Sequence, residues 1–294
     1  MCAIPIFFSA KDKAGLRDKH DIVISDYCHS VAESTKPLTG SAIDVKTMWE
    51  VLYSNVISML KSLRRPLRIL IDISTFPRFY FGALCAMGIK MGLCESLTLF
   101  YAEGEYPITL PKQEIAFTGG NWLTIPIPGL VGEYDPGKSR FYMVSIGFEG
   151  WKTLRVVSRA DPERVSILFP EPGFNESYVE RTITNNQDLF DQYRIPPEQV
   201  VKAHAGDAIG AWKALSLEKL ERPATENTFY LCCGTKPHSL ALVLRAIVLG
   251  YPSVLYNLPG EHMVIETQPN GRFWRYDIKD ITVFRNHDEI SFSQ

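Results

Sequence analysis

Gly234, Thr235, Lys236 and Pro237 stand between an apolar run ending in Cys232 and a second apolar stretch of helical spacing. A strand that turns into a helix there aims free backbone amides, a hydroxyl and an ammonium at one point. That is the chemistry of a phosphate or other anion site. The spacing is not Gly-x4-Gly-Lys-Ser/Thr, so a nucleoside triphosphate cradled by a P-loop is disfavoured. A plain strand-to-helix turn accounts for the same residues without a ligand.

Asp72, Ser74, Thr75 and Arg78 (DISTFPR) form a second such set at the end of another apolar run. Asp72 and Ser74 are two residues apart and share one side of a strand. An arginine in the following helical turn suits bidentate recognition of phosphate or carboxylate, or else pairs with Asp72 and braces the turn. Gly147 to Gly150 (GFEG) offers close backbone approach and presents Glu149 at a strand end. It is not GxGxxG, so a nicotinamide or flavin site has little support. His204, Asp207 and His238 lie in strand-end loops and, with Glu149, are the candidates for general acid and base work on a phosphodiester. Packing or surface roles fit the same residues. No GxSxG occurs, and Cys232 and Cys233 read as small buried hydrophobes.

Positioning these loops requires a regular scaffold, and the apolar periodicity supplies one. From residue 140 the chain alternates strand and helix: strands at Arg140–Ile146, Arg164–Phe169, Gln199–Ala203, Thr228–Cys232 and Ser253–Asn257, and helices from Trp151 and over Glu176–Tyr193, Asp207–Leu220 and Pro237–Leu249. This order predicts an α/β fold, Rossmann-like and doubly wound, with a mainly parallel sheet. Leu67–Ser74, a helix to about Met91 and Leu97–Ala102 form an earlier βαβ unit, its first strand nearly continuous in apolar residues as if covered on both faces. Asp44 caps an amphipathic helix that ends at Lys61, Arg64, Arg65 and Pro66. Ala3–Phe8 and Asp21–Tyr27 read as strands, Ser34–Ser41 as a loop, and Arg272–Asp277 with Ile281–Arg285 as a closing antiparallel pair. Periodicity lapses between Glu103 and Arg140, which places a hairpin-like insertion there and two lobes at 1–139 and 140–294.

LIDISTFPRFYFGALCAMGIKMG and FYLCCGTKPHSLALVLRAIVLG share one pattern, with Thr75 matching Thr235 and Pro77 matching Pro237. The pattern is that of two related lobes, or of ordinary helix initiation met twice.

Over roughly Arg140 to Asn257 the chain resembles the CARF family, Rossmann-like sensors of cyclic oligonucleotides in prokaryotic antiviral systems. Gly234, Thr235 and Lys236 match that family's GTK-type motif, and Ser145, Ile146 and Gly147 fall where its first strand ends at the ligand. His238 stands where the family often has Met, and Cys232 and Cys233 replace its usual run before the glycine. The resemblance implies a cytoplasmic sensor of a nucleotide or other phosphorylated small molecule that works as a dimer, here as a homo-oligomer or as two lobes of one chain. Its output is then expected from a protein effector, from oligomerisation or from its own turnover of the ligand, since no nuclease domain is evident. An enzyme cleaving a nucleotide or phosphodiester and a non-catalytic scaffold are the rival expectations.

Composition sets the outer limits. Lys and Arg total 31 against 33 Asp and Glu, so no overall basic field favours duplex DNA or an anionic membrane. No apolar run reaches the roughly 18 residues of a membrane span. Six cysteines without CxxC and six scattered histidines give no zinc pattern and suggest free thiols. No cofactor is expected.

Overall fold

The computed structural model describes residues 2–8, 16–106, 118–218, 220–262, 267–279, 281 and 284. The chain clusters into two compact units: Met1–Arg64, Phe117–Trp122 and Leu258–Glu266 in one, Arg65–Ala116, Leu123–Asn257 and Thr267–Gln294 in the other. The larger unit holds residues from both sides of 139/140. Among the described residues no helix is long and apolar enough to cross a membrane.

In the smaller unit the helix expected after Asp44 forms. The Asp44 carboxylate accepts from Thr47 N at 2.8 Å, and the helical path runs through Val45–Trp49, a π-wound stretch Glu50–Ile57, and Ser58–Ser62. Two sequence expectations are corrected. Asp21–Tyr27 is not a strand but part of the helix Leu16–Val31. Ile22, Val23, Ile24 and Tyr27 are 44–67% exposed there. Strand preference reflects fit to a half-buried pleated surface. Among the described residues no strand runs beside these, so helix bonds satisfy the backbone instead. Ser34–Ser41 is not simply a loop: Ser34–Thr35 and Leu38–Gly40 pair in parallel with Cys2–Ala3 and Ile6–Phe8.

The larger unit begins with β1 (Leu67–Asp72), α1 (Arg78–Lys90) and β2 (Cys94–Glu105), followed by β3 (Leu123–Pro126) and β4 (Ser139–Ser145). It continues through α2 (Gly150–Ala160), β5 (Arg164–Pro170), α3 (Glu176–Tyr193), β6 (Val200–Ala203) and α4 (Ala208–Glu218). β7 (Glu226–Cys232), α5 (Lys236–Leu249), β8 (Ser253–Leu258) and β9 (Gln268–Ile278) complete it.

This is a mixed α/β fold around a six-stranded, mostly parallel sheet, consistent with a Rossmann-like architecture. The strand order is β6-β5-β4-β7-β8-β3, with the first five strands mutually parallel. Counted from β4, it reads third, second, first, fourth, fifth, the order of Rossmann sheets, which reverses direction between the first and fourth strands. β4 is central: Phe141 to Ile146 are at most 7% exposed, and Tyr142, Val144 and Ile146 pack with Val156 and Val157 of α2, Leu189 of α3 and Leu231 of β7. α2 packs on α3, while α4 and α1 pack on α5. α1 and α5 are apolar almost all round, and a Cβ at Gly82 would lie 3.3 Å from Val243, so the two backbones approach closely.

β1, β2 and β9 make a separate three-stranded sheet, parallel between β1 and β2 and antiparallel between β2 and β9. One expectation changes here. β1 is not covered on both faces: Arg68, Leu70 and Asp72 are exposed, Leu70 by 66%. An apolar run specifies a strand but not how many sheets lie against it. Residues 273–278 pair with β2, and the expected partner segment 281–285 lies mostly outside the described residues. The expected insertion at 103–140 contributes β3 to the main sheet, with 107–117 outside the described residues.

Candidate functional site at the carboxyl edge of the main sheet

The strand order reverses between β4 and β7, and the carboxyl ends of strands at such a reversal are where α/β sheets of this order take their ligands. Ser145, completely buried, ties the two strand ends together. Its Oγ donates to Leu231 O at 3.3 Å and accepts from Gly234 N at 3.1 Å. Gly234 rests on the next residue of β4's exit: a Cβ there would come within 2.7 Å of Ile146 O and 3.1 Å of Ile146 N. Both are backbone atoms that cannot move aside. Gly147 lies against Gly234, its Cβ direction only 3.4 Å from Gly234 Cα.

Two asparagines of α3 pin the loop after β4. Asn185 Nδ2 donates to Phe148 O at 2.6 Å, and Asn186 Nδ2 donates to Gly147 O at 2.8 Å. Gly150 permits this, since a Cβ would overlap Asn185 O. Phe148, Tyr106 and Tyr178 pack edge to face beside the loop, with the Arg181 guanidinium 5.9 Å from the Phe148 ring. Adjacent amides in mid-helix are unfavourable for the helix itself, which is the one sequence feature that marks Asn185 and Asn186 in advance.

The DISTFPR and GTKP loops, far apart in sequence, meet. Lys236 Nζ donates to Ser74 O at 2.6 Å. In the opposite direction, Arg78 donates through Nε to Ser239 Oγ at 2.9 Å and through its terminal nitrogen to Gly234 O. Arg78 therefore braces the other loop rather than Asp72. Asp72 holds its own turn by accepting from Ser74 N at 2.8 Å, and Ser74 Oγ accepts from Ala102 N at 2.8 Å. Thr75 is exposed. Among the described residues neither Arg78 nor Lys236 is in an ion pair, so two cations share the N-terminus of α5. Burial, and then the charge of Arg78, pull the Lys236 ammonium down to about 7, against the opposing pull of Asp72.

Thr235 caps α5: its Oγ1 accepts from His238 N at 3.3 Å and donates to Ala205 O at 2.9 Å. His238 is 0% exposed, with Nε2 3.2 Å from His204 O, and burial pushes it down to about 4. His204 Nδ1 accepts from Gly206 N at 3.0 Å, which places the proton of the neutral ring on Nε2. Its ring lies 5.0 Å from Trp274 and 5.8 Å from Phe174. Asp207 accepts from Gly210 N at 2.8 Å and so caps α4. Glu149 precedes the first residue of α2 and pairs with the buried Lys152. His204, Asp207 and His238 are thus neighbours around one loop, each in a bracing contact, and Glu149 belongs to the loop after β4.

No known protein family matches the chain, and no curated protein is similar to it in sequence. The argument for function therefore rests on the site. Among the described residues no three His, Cys, Asp or Glu side chains are grouped to hold a metal ion. Sequence reasoning had both cationic motifs but not their junction, and it missed Ser239, Asn185, Asn186, Ala205 and the aromatic group at Tyr106. Ser239 and Ala205 have ordinary residue types in ordinary positions, so nothing in the sequence marks them.

Proposed function

We propose that the protein binds a phosphorylated small molecule, a nucleotide or cyclic oligonucleotide, at the carboxyl ends of β4 and β7. In this reading it is a cytoplasmic, CARF-like sensor of prokaryotic antiviral defence that signals to a protein effector. The observation that carries it is the crossed clasp of Arg78 and Lys236: among the described residues, two cations outside any ion pair at a helix N-terminus, bound to the carbonyls of Gly234 and Ser74 and, for Arg78, to Ser239 Oγ as well. A phosphate is a stronger acceptor than a peptide carbonyl, because the hydrogen bonds become charge-assisted on both sides. Ligand oxygens would draw both cations off those carbonyls, with the α5 amides and Gly147 completing the cradle.

The clasp also supplies an output. Its two halves belong to β1–α1 and β7–α5, so a ligand that replaces the clasp loosens one strand–helix passage from the other. The same pairing supports a doubly wound fold with two related lobes, α2 and α3 forming one helix layer and α1, α4 and α5 the other. The catalytic alternative has less behind it, since His238 is sealed from solvent and His204, Asp207 and Glu149 already hold loops and helix ends.

The test is calorimetric titration of the purified protein with mononucleotides, cyclic dinucleotides and cyclic oligoadenylates. Binding that is lost in Lys236→Ala and in Arg78→Ala, with both variants folded, is the expected result. No heat with any of these ligands overturns the reading.

A further inference from the structure

β1 is an open edge. It pairs with β2, and among the described residues no strand lies on its other side. Ile73 N bonds to Phe100 O at 2.8 Å, so by strand alternation Ile71 and Ile69 also turn their backbone groups to β2. Arg68, Leu70 and Asp72 turn theirs outward. The side chains of these three residues form the exposed face, with Leu70 at 66% and the Arg68 side chain at 81%. A cavity of about 430 Å³ lined by Arg68, Leu70, Thr98 and Arg275, among others, lies over the same face.

The other edges of the two sheets carry devices that discourage pairing. β3 ends in Pro126, and β6 has four residues with Lys202 exposed. β9 has Pro269, an irregularity between Pro269 and Phe273, and Arg272 and Arg275. β1 has an irregularity too, but it lies before Arg68, and from Arg68 to Asp72 the strand is regular, with no proline and a single cation. It has one cation, one exposed leucine and one anion, evenly spaced.

We propose that β1 is a homodimer interface, in which a second copy of the chain adds its own β1 antiparallel across a two-fold axis at Leu70. The two three-stranded sheets then form one continuous sheet. The pattern is self-complementary in this register alone. Leu70 meets Leu70 of the other copy as a hydrogen-bonded pair, and each Arg68 stands opposite an Asp72. Centring the axis on Arg68 opposes like charges and sets Leu70 against Pro66, which has no amide hydrogen to donate. Centring it on Asp72 opposes two carboxylates. Like charges directly opposite are destabilising, and opposite charges and apolar pairs are stabilising. Arg68 already lies 3.5 Å from Glu95, an exposed pair that contributes little and leaves the guanidinium free to meet the incoming Asp72.

The test is light scattering over a concentration series, together with disulfide trapping in a chain whose Cys2 and Cys28 are replaced by Ser. The mass of the natural chain rises toward the dimer, and Leu70→Lys stays monomeric with an unchanged circular dichroism spectrum. Cα atoms of a hydrogen-bonded antiparallel pair are about 5.5 Å apart, within disulfide range. Leu70→Cys therefore cross-links on oxidation and Arg68→Cys does not. A dimer that Leu70→Lys leaves intact places the interface elsewhere and overturns the proposal. So does a chain that is monomeric throughout and whose Leu70→Cys variant traps no more dimer than Arg68→Cys.

Discussion

The passages 67–90 and 226–249 share a sequence pattern and have opposite surroundings. When Thr75 is matched to Thr235, Leu70 falls on Tyr230, Ser74 on Gly234 and Arg78 on His238. Tyr230 is 0% exposed in the middle of a six-stranded sheet, whereas Leu70 is 66% exposed at the edge of a three-stranded one. Helix starts differ as well. Pro77 precedes the first residue of α1 without a side-chain cap, while Thr235 caps α5 and Pro237 lies inside its first turn. One local pattern thus builds both a central element and a peripheral one, and the Ser74 and Gly234 carbonyls at matched positions receive the cation from the opposite passage.

The comparison is sharpest at Tyr230. Its hydroxyl donates to Glu221 at 2.5 Å, and Glu221 is itself paired with Arg245, so Tyr230→Ala removes a fully buried ring and disturbs that ion pair. A loss of about 4 kcal/mol is expected in urea unfolding. The matched Leu70 is outside this range altogether. Gly234→Ala comes next, at about 2–3 kcal/mol, because the added carbon meets immovable backbone of residue 146. Its counterpart Ser74→Ala loses only the bond from Ala102 N, about 1 kcal/mol. Equal costs at the two positions would break the comparison.

Arg78→Lys should lose about 2 kcal/mol, since an ammonium does not span both Gly234 O and Ser239 Oγ as the planar guanidinium does. Chemical denaturation of the variant measures it, and full recovery by Lys would show that charge alone matters.

Lys236 gives a dependence on pH. Its folded value of about 7 lies below the usual lysine range near 10. Between these limits the unfolded chain binds more protons, so stability rises as pH is raised from 7 toward 10. Lys236→Met should flatten that rise in thermal melts at a series of pH values. Anion affinity should fall over the same window, because the ligand requires the ammonium. The smallest effect belongs to Leu70→Lys, within about 0.5 kcal/mol for the monomer, as at other exposed positions. A larger loss would mean that β1 is covered within the chain.

Much of the larger unit was legible in the sequence. α3 occupies the expected span Glu176–Tyr193, and β4, β5, β7 and α5 fall within a residue or two of their expected limits. Errors cluster where burial is partial. The residues 21–27 carry strand-forming side chains with no neighbouring strand among the described residues, and β1 reads as a two-faced strand although Arg68, Leu70 and Asp72 on one face are exposed. Both cationic motifs of the site were visible, but Ser239, Asn185 and Asn186 act through contacts made across more than thirty residues.

By itself, the sequence determined the alternation of strands and helices and the positions of caps such as Thr235 and Asp44. These are set by apolar period and by side chains bonding amides two or three residues away. Only the tertiary structure decided that β4 and β7 lie side by side and that β1 is left at an edge. It also decided that Arg78 and Lys236 reach across to each other's loops. Strand order and burial depend on which distant segments share a sheet, and no local property of the chain encodes that neighbour.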